Sequence, residues 1–239
     1  MIVMTSFQEL DALGEALVKD YFHKARRRDP TSLDIEGFIK DYLELELVFD
    51  RFAEEDRGKI GFMADGMTPL TVWRDGRPVP VVYPGNTLVI DLFLERDGEK
   101  GRRRFTMAHE AAHNILGRHV PLQAAAFRSD YDGEKEYGRE DLARIFSLNE
   151  AFANRLGAAI LMPPFLVEKA KRRHHGGKKI VCYEGGVFSQ KEKLAVRKMA
   201  DTLGVSYSAL VNRLKELELL EFRPVSEYLE QGLGIGGEL

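Results

Sequence analysis

Residues 103–117 read RRFTMAHEAAHNILG and carry the most informative pattern in the chain. Apolar residues recur there at three- and four-residue intervals, which is the period of an amphipathic α-helix. The residues on this apolar face are Phe105, Ala108, Ala112, Ile115 and Leu116. Glycine commonly follows the last turn of a helix, so Gly117 is a natural stop. The pattern predicts a central helix with one face in the core.

Two histidines and a glutamate lie in the middle of this helix. His109 and His113 are four residues apart, so their side chains point about 40° apart on the same face, where both can bind one metal ion. Glu110 lies about 100° around the helix from His109. This is the spacing of a zinc-peptidase helix. The alternative is a pair of partly exposed helix histidines beside a surface glutamate.

A catalytic zinc site needs a third protein ligand and an open position for water. His119 stands six residues after His113, the spacing of enzymes in which the helix stops at a glycine and a third histidine returns to the metal. In those enzymes the glycine is three residues after the second histidine, whereas Gly117 is one residue late.

Glu150 is the other candidate for the third ligand. It opens the segment 151–166, in which Arg155 is the only charged residue, so its carboxylate enters an apolar region. A buried carboxylate needs a partner, and a metal ion is one. Asn154 lies one turn later on the same face. We favour Glu150 over His119, with a buried glutamate paired to an arginine as the alternative.

The remaining pattern predicts an α+β protein. A capping box at Ser6 and Glu9 begins a first helix that runs to about Lys24, and a short helix fits Ile35 to Tyr42. Five short β-rich runs follow, joined in one place by a hairpin signal at Asp75-Gly76. The runs are 45–49, 60–64, 70–73, 79–82 and 87–92. They predict a small antiparallel or mixed sheet, which would pack on a zincin-type helical core. A second apolar helix is predicted from Asp141 to Met162.

Composition excludes several classes of protein. The 239 residues are 44% hydrophobic and 31% charged, which is typical of a globular chain, and the net charge of −3 provides no general attraction to nucleic acid or an anionic membrane. The single cysteine, Cys182, excludes an internal disulfide framework. The longest apolar stretch, 157–167, is about half the length of a membrane span. The first residues also lack the apolar core of a secretion signal. We expect a cytoplasmic protein without a membrane partner.

The C-terminal part is predicted to contain a basic loop and two helices. Residues 169–189 are interpreted as a basic linker, and 190–222 as a helix-turn-helix-like segment with its turn at Gly204. Such a motif places its second helix in the major groove of DNA. The residues that would face bases are Tyr207, Ser208, Asn212 and Arg213. A DNA-binding regulator with a vestigial or structural metal site is therefore the alternative function. Without DNA binding, the two helices are expected to pack on the catalytic domain and help to frame the substrate groove.

The two site segments together resemble the ImmA/IrrE family of metallo-endopeptidases. These segments are 103–113, which contains HEAAH, and 150–163, EAFANRLGAAILMP. The resemblance extends from about Ile35 to Leu220. It implies that His109, His113 and Glu150 bind the metal and that Glu110 is catalytic. It also implies a protein substrate, typically a helix-turn-helix repressor of a mobile element or stress response.

The sequence pattern predicts five parts, which are an N-terminal helix, a zincin-like core, the basic linker, the helix-turn-helix-like segment and a tail. Their bounds are 1–30, 31–168, 169–189, 190–222 and 223–239. The expected ion is Zn²⁺, although imidazole and carboxylate ligands also accept manganese, iron or nickel. A second donor to the oxyanion is expected as well. The sequence leaves five candidates for it, which are His119, Tyr131, His174, His175 and Tyr183.

Overall fold

The computed structural model describes residues 6–56, 58–118 and 139–228, with the backbone alone for 118 and 139–148. The first element is helix α1, Phe7–Lys24, and the capping box predicted at its start is present. The Ser6 side chain accepts from the Glu9 N–H, and the Glu9 carboxylate accepts from the Ser6 N–H. The predicted second helix is a short α-helix, α2 (Ile35–Gly37), that continues as a π-helical turn at Phe38–Tyr42.

All five predicted strands are present, but they form two separate sheets. Their bounds are β1 Glu46–Asp50, β2 Gly61–Met63, β3 Leu70–Arg74, β4 Arg77–Val81 and β5 Thr87–Asp91. The first sheet has the order β1-β5-β2 and is mixed, since β1 runs parallel to β5 and β2 antiparallel to it. Strands β3 and β4 form an antiparallel hairpin, and both turn residues have positive φ, 51° at Asp75 and 78° at Gly76.

In the described part of the chain, five α-helices follow the sheet. Their bounds are α3 Lys100–Arg118, α4 Arg139–Leu161, α5 Pro164–His175, α6 Gln190–Leu203 and α7 Tyr207–Glu216. Helices α3 and α4 confirm the two apolar helices expected from the sequence, and a left-handed glycine, Gly204, joins α6 to α7 as predicted. The chain is therefore α+β. Within the described residues, no helix has both the length and the apolar character that crossing a membrane requires.

The prediction of a basic loop at 169–189 is wrong. Its first residues complete α5, which ends at the left-handed Gly176, and Ile180–Tyr183 forms strand β6. This strand pairs in parallel with β7, Leu220–Arg223, with Ile180 opposite Leu220. Basic residues such as Lys171 and Arg172 are good helix formers, so their charge alone did not indicate a loop.

Helix α3 lies at the centre of the molecule. It packs on α4 on one side and on strands β2 and β5 on the other. The residues predicted for its apolar face are buried, except that Phe105 is half-buried at the edge of the core. Helix α1 covers the other side of α4, and Gly14 lets the two approach closely, because a Cβ there would lie 2.7 Å from the Ala159 Cβ. This packing fixes how α3 and α4 present their polar residues.

Candidate metal centre

The two histidines of α3 lie side by side at the floor of a cleft. Their Nε2 atoms are 3.0 Å apart and their ring centroids 4.7 Å apart. Both side chains are mostly buried, with exposed fractions of 16% for His109 and 21% for His113. Burial and the neighbouring His109 hold the pKa of His113 below its usual range, which favours the neutral imidazole that a metal ion binds.

Glu150 enters the same place from α4. Its carboxylate oxygens lie 3.3 Å from the Nε2 atoms of His109 and His113. One ligand atom from each residue falls within 4.8 Å of the others. In a tetrahedral zinc site with bonds of about 2.0 to 2.1 Å, neighbouring ligand atoms are about 3.3 Å apart. The donor types and their spacing therefore fit a zinc ion. His119, the other candidate ligand, lies outside the described residues.

Asn154 orients the first histidine. Its side-chain oxygen lies 3.0 Å from Nδ1 of His109. An amide oxygen only accepts, so Nδ1 carries the proton and the Nε2 lone pair points to the metal position. Sequence reasoning placed Asn154 on the face of Glu150 but assigned it no role. The signal that could have found the role is the four-residue spacing between the two.

Gly157 sets the distance between the two helices at the site. A Cβ at this position would lie 3.1 Å from the backbone nitrogen of His109 and 3.2 Å from the carbonyl oxygen of Ala108. Ordinary carbon contacts begin at about 3.5 Å, so any side chain at Gly157 would push α4 away from α3. The glycine thus allows Glu150 and the histidines, which belong to different helices, to reach one point.

Glu110 lies on the side of α3 that faces strand β2. Burial, followed by the negative charge of Glu150, raises the pKa of its carboxyl group to about 8, although the Met63 N–H and Lys59 act in the opposite direction. A cation bound by the neighbouring ligands would favour the carboxylate. The backbone of β2 touches this side chain, since a Cβ on Gly61 would lie 2.6 Å from Oε1 of Glu110.

A cleft of about 940 Å³ opens above these groups, with α3 and α4 on one side and β2 on the other. Strand β2 is an edge strand of its sheet. The Ala64 N–H and the Ile60 carbonyl pair with β5. Because pairing alternates along an antiparallel strand, the backbone groups of Gly61 and Met63 point away from β5. The Met63 N–H donates to the Glu110 carboxylate, so the strand edge that faces the candidate metal ligands consists of the Gly61 backbone groups and the Met63 carbonyl.

Comparison with known proteins identifies the family. A family model for Peptidase_M78, described as the IrrE N-terminal-like domain, matches residues 91–215, just over half of the chain. The protein belongs to the Peptidase_M78 family. The matched residues include both helices of the candidate metal centre. Membership of this metallopeptidase family implies a metal ion, and the described residues offer a His-His-Glu site for it.

Other comparisons add little to the Peptidase_M78 assignment. One solved structure, a Mycobacterium tuberculosis transcriptional regulator, aligns with 87% of this chain at 14% identity and a TM-score of 0.47. The alignment spans 46% of that regulator's chain. The comparison with curated proteins gave no match.

The oxyanion candidates named from the sequence do not converge on the centre of this Peptidase_M78 protein. His174 contacts the Thr202 hydroxyl, His175 pairs with Glu192, and the Tyr183 ring lies 5.1 Å from that of Tyr228 with the planes 54° apart. None of the three lines the cleft, because α5 and β6 pack on α6 and β7. These three candidates are therefore not placed to donate to the oxyanion. His119 and Tyr131 lie outside the described residues.

Arg213, predicted to face DNA bases, is buried instead. Its Nε donates to the Met162 carbonyl at 3.0 Å, and its Nη1 donates to Asp11 and Glu216. The side chain is fully covered, so it cannot reach a base. Ser208 and Asn212 are exposed on α7 and Tyr207 is half-buried. The arginine was misassigned because its charge suggested solvent, whereas its partners come from distant parts of the chain.

Proposed function

We propose that this protein is a zinc-dependent endopeptidase that cleaves a peptide bond in a protein substrate. The observation that carries the proposal is the arrangement of His109, His113 and Glu150, whose donor atoms meet at one point in an open cleft with Glu110 beside them. Two histidines and one carboxylate leave a coordination position open, as hydrolytic zinc sites require. Family membership supports the same class of reaction.

Each residue has a distinct part in the proposed reaction. His109, His113 and Glu150 would hold the ion, which when bound polarises the scissile carbonyl and lowers the pKa of water to about 7. Asn154 keeps the His109 ring in the required tautomer. Glu110 takes a proton from the attacking water and delivers it to the leaving amine, so that it serves first as base and then as acid.

The substrate is proposed to bind as an extended strand along β2. Main-chain pairing at a sheet edge recognises a polypeptide backbone. The resemblance to ImmA/IrrE peptidases favours a helix-turn-helix repressor of a mobile element or stress response as the protein that is cut.

The test combines metal analysis with cleavage. Purified protein is loaded with Zn²⁺ and incubated with the repressor encoded beside its gene, with and without chelator, and fragments are identified by mass spectrometry. Glu110→Gln should retain about one ion per chain and lose cleavage. Glu150→Ala should lose both. The control Glu95→Gln changes an exposed glutamate of the same charge and should behave as the unaltered protein. Cleavage by Glu110→Gln at the normal rate would refute the role of this residue.

The alternative function, DNA binding through α6 and α7, is favoured by three exposed basic residues on α6, Lys191, Arg197 and Lys198. The burial of Arg213 removes one of the residues expected to read bases. Retention of the protein on a duplex DNA column separates the two functions. A DNA-binding regulator should be retained at low salt and released steeply as salt rises, whereas a peptidase should show little retention at physiological salt.

A further inference from the structure

A second cleft lies beside the metal cleft, where α7 faces α3 and α4. We call it the α7 pocket. It has a volume of about 630 Å³. Most of its surface is apolar, and the apolar residues that line it are Phe7, Phe105, Ala151, Ala158, Met162 and Ala209. Three of these residues are alanines, and larger apolar side chains at the same positions would fill the pocket.

The walls of the α7 pocket are held together by an ion network. Asp11 of α1 pairs with Arg155 of α4 and Arg213 of α7, and Glu216 of α7 pairs with the same two arginines. The network itself is neutral, but Asp11 does not line the pocket, whereas Arg155, Arg213 and Glu216 do, together with Arg102. Because Arg213 is fully covered, the network fixes α7 against α1 and α4. The pocket is therefore a preformed part of the fold, and its chemistry favours an apolar occupant.

The α7 pocket adjoins the metal cleft. Phe105 and Asn154 line both, and Phe105 lies one helical turn before His109 on α3. The far end of the pocket is at Gly101, eight residues before His109, which corresponds to about 12 Å along a helix. Phe105, at the near end, is four residues or about 6 Å from His109. An extended chain covers about 3.3 Å per residue, so the pocket lies about two to four residues of a bound polypeptide from His109.

We propose that the α7 pocket is a specificity subsite that receives one apolar side chain of the protein substrate, two to four residues from the scissile bond. This inference rests on the proposed peptidase function. The polypeptide that lies in the metal cleft can place the side chain there without leaving the surface. Exposed Asn212 and Ser206 line the pocket and carry an amide and a hydroxyl that can hydrogen-bond the main chain of the occupant.

The experiment profiles cleavage of a synthetic library of random 14-residue peptides by the zinc-loaded full chain, with fragments sequenced by mass spectrometry. Peptides with Leu, Ile or Phe at one position, two to four residues to one side of the cut, should be cleaved about tenfold faster than those with Ala or Asp. This factor corresponds to burying one or two methylene groups.

Two variants fill the pocket from opposite walls. Ala209→Phe acts from α7 and Ala151→Leu from α4. Each should remove the apolar preference at that position while leaving the preferences next to the cut and the zinc content unchanged. The same result from substitutions on two different helices separates loss of the pocket from misfolding. Thermal unfolding, followed by circular dichroism, would reveal a misfolded variant. The matched control, Ser208→Phe, adds the same aromatic group to α7 at an exposed residue that does not line the pocket. It should retain the preference.

The outcomes separate the subsite from the enzyme. If the unaltered protein cleaves the library but the filled variants keep an unchanged profile, the subsite is refuted and the peptidase function stands. If a preference is absent from the start, the same conclusion follows. If the zinc-loaded protein cleaves neither the library nor the repressor, the proposed function fails, and the subsite inferred from it falls too.

Discussion

Replacing Gly61 by alanine should impair proton transfer by Glu110 while leaving metal binding intact. The new Cβ would lie 2.6 Å from Oε1 of Glu110, 2.8 Å from its Cγ and 2.7 Å from Cγ2 of Thr106. Ordinary contacts begin at about 3.5 Å, so the overlap is about 0.7 to 0.9 Å. The backbone of Gly61 is not in the left-handed region, and alanine therefore introduces no backbone strain. The overlap must be relieved by moving Glu110, or by moving β2 away from α3.

The expected loss of activity follows from this displacement. A shift of about 1 Å in a catalytic group lowers the rate by about 100-fold, which is about 2.7 kcal/mol in the barrier. Overpacking also destabilises a fold by about 1 to 3 kcal/mol. The atoms nearest to the new Cβ belong to Glu110 and Thr106, so the zinc content should stay near one per chain.

The assay measures kcat/KM for repressor cleavage and zinc content on the same preparation. Gly117→Ala is the matched control, since Gly117 lines the same cleft but no described atom lies within 4 Å of its Cβ position. It should keep full activity. Adding Gly61→Ala to Glu110→Gln should cause no further loss, because both changes act through one carboxylate. Unchanged cleavage by Gly61→Ala, or a parallel loss of zinc, would show that the contact does not position Glu110.

Three further changes test other parts of the structure. Asn154→Ala removes the acceptor for Nδ1 of His109 and should weaken zinc affinity about 10- to 100-fold, as competition with a chelator would measure. An unaltered affinity would contradict the orienting role. Gly14→Ala brings a Cβ to 2.7 Å from the Cβ of Ala159 and should lower the free energy of unfolding, measured by urea denaturation, by about 1 to 3 kcal/mol. An increase in this free energy would show that α1 moves freely. Asp50→Asn should lower the free energy of unfolding by about 2 to 3 kcal/mol at pH 7. Burial opposes the charged form of Asp50, but hydrogen bonds from Arg74, Tyr83 and the Arg51 N–H outweigh the effect of burial and hold the pKa of Asp50 below 3.8. Because the pKa of Asp50 is lower in the folded state than in the unfolded state, its charge stabilises the fold at higher pH, and this stability is lost as pH falls through the folded-state pKa. The free energies of unfolding of the two proteins should therefore converge below pH 3.8. A difference that does not change with pH would exclude this account.

The elements that the sequence predicted well are set by local chemistry. The capping box fixes the start of α1, and the Asp75-Gly76 turn fixes the hairpin, because each depends on residues that are neighbours in the chain. Helices α3 and α4 followed from their apolar period. Strand β6 was missed because its partner β7 is 40 residues away, and its pairing depends on how α6 and α7 return the chain. Local patterns do not contain this information.

The candidate site divides in the same way. The spacing of His109 and His113 on one helix predicted their convergence. Glu150 was chosen from the cost of burying a charge in an apolar segment, and this argument was wrong, because its side chain is 58% exposed. The role of Asn154 depends on the distance between α3 and α4, which Gly157 sets. The sequence shows a glycine at position 157 but not which atoms of α3 it meets.

Arg213 shows why a helical period alone does not identify a binding surface. The residue lies on a helix of the expected length, after a turn of the expected shape, and its type is common in DNA contacts. Its guanidinium is nevertheless bound by Asp11, 202 residues away in the chain. A period defines the faces of a helix, and the rest of the fold decides which of them meet solvent. Here the arginine of α7 points inward and anchors the helix, and Ala209 and Asn212 line a pocket that adjoins the metal cleft. For this reason the pair α6 and α7 is better tested as a wall of the substrate cleft than as a DNA reader.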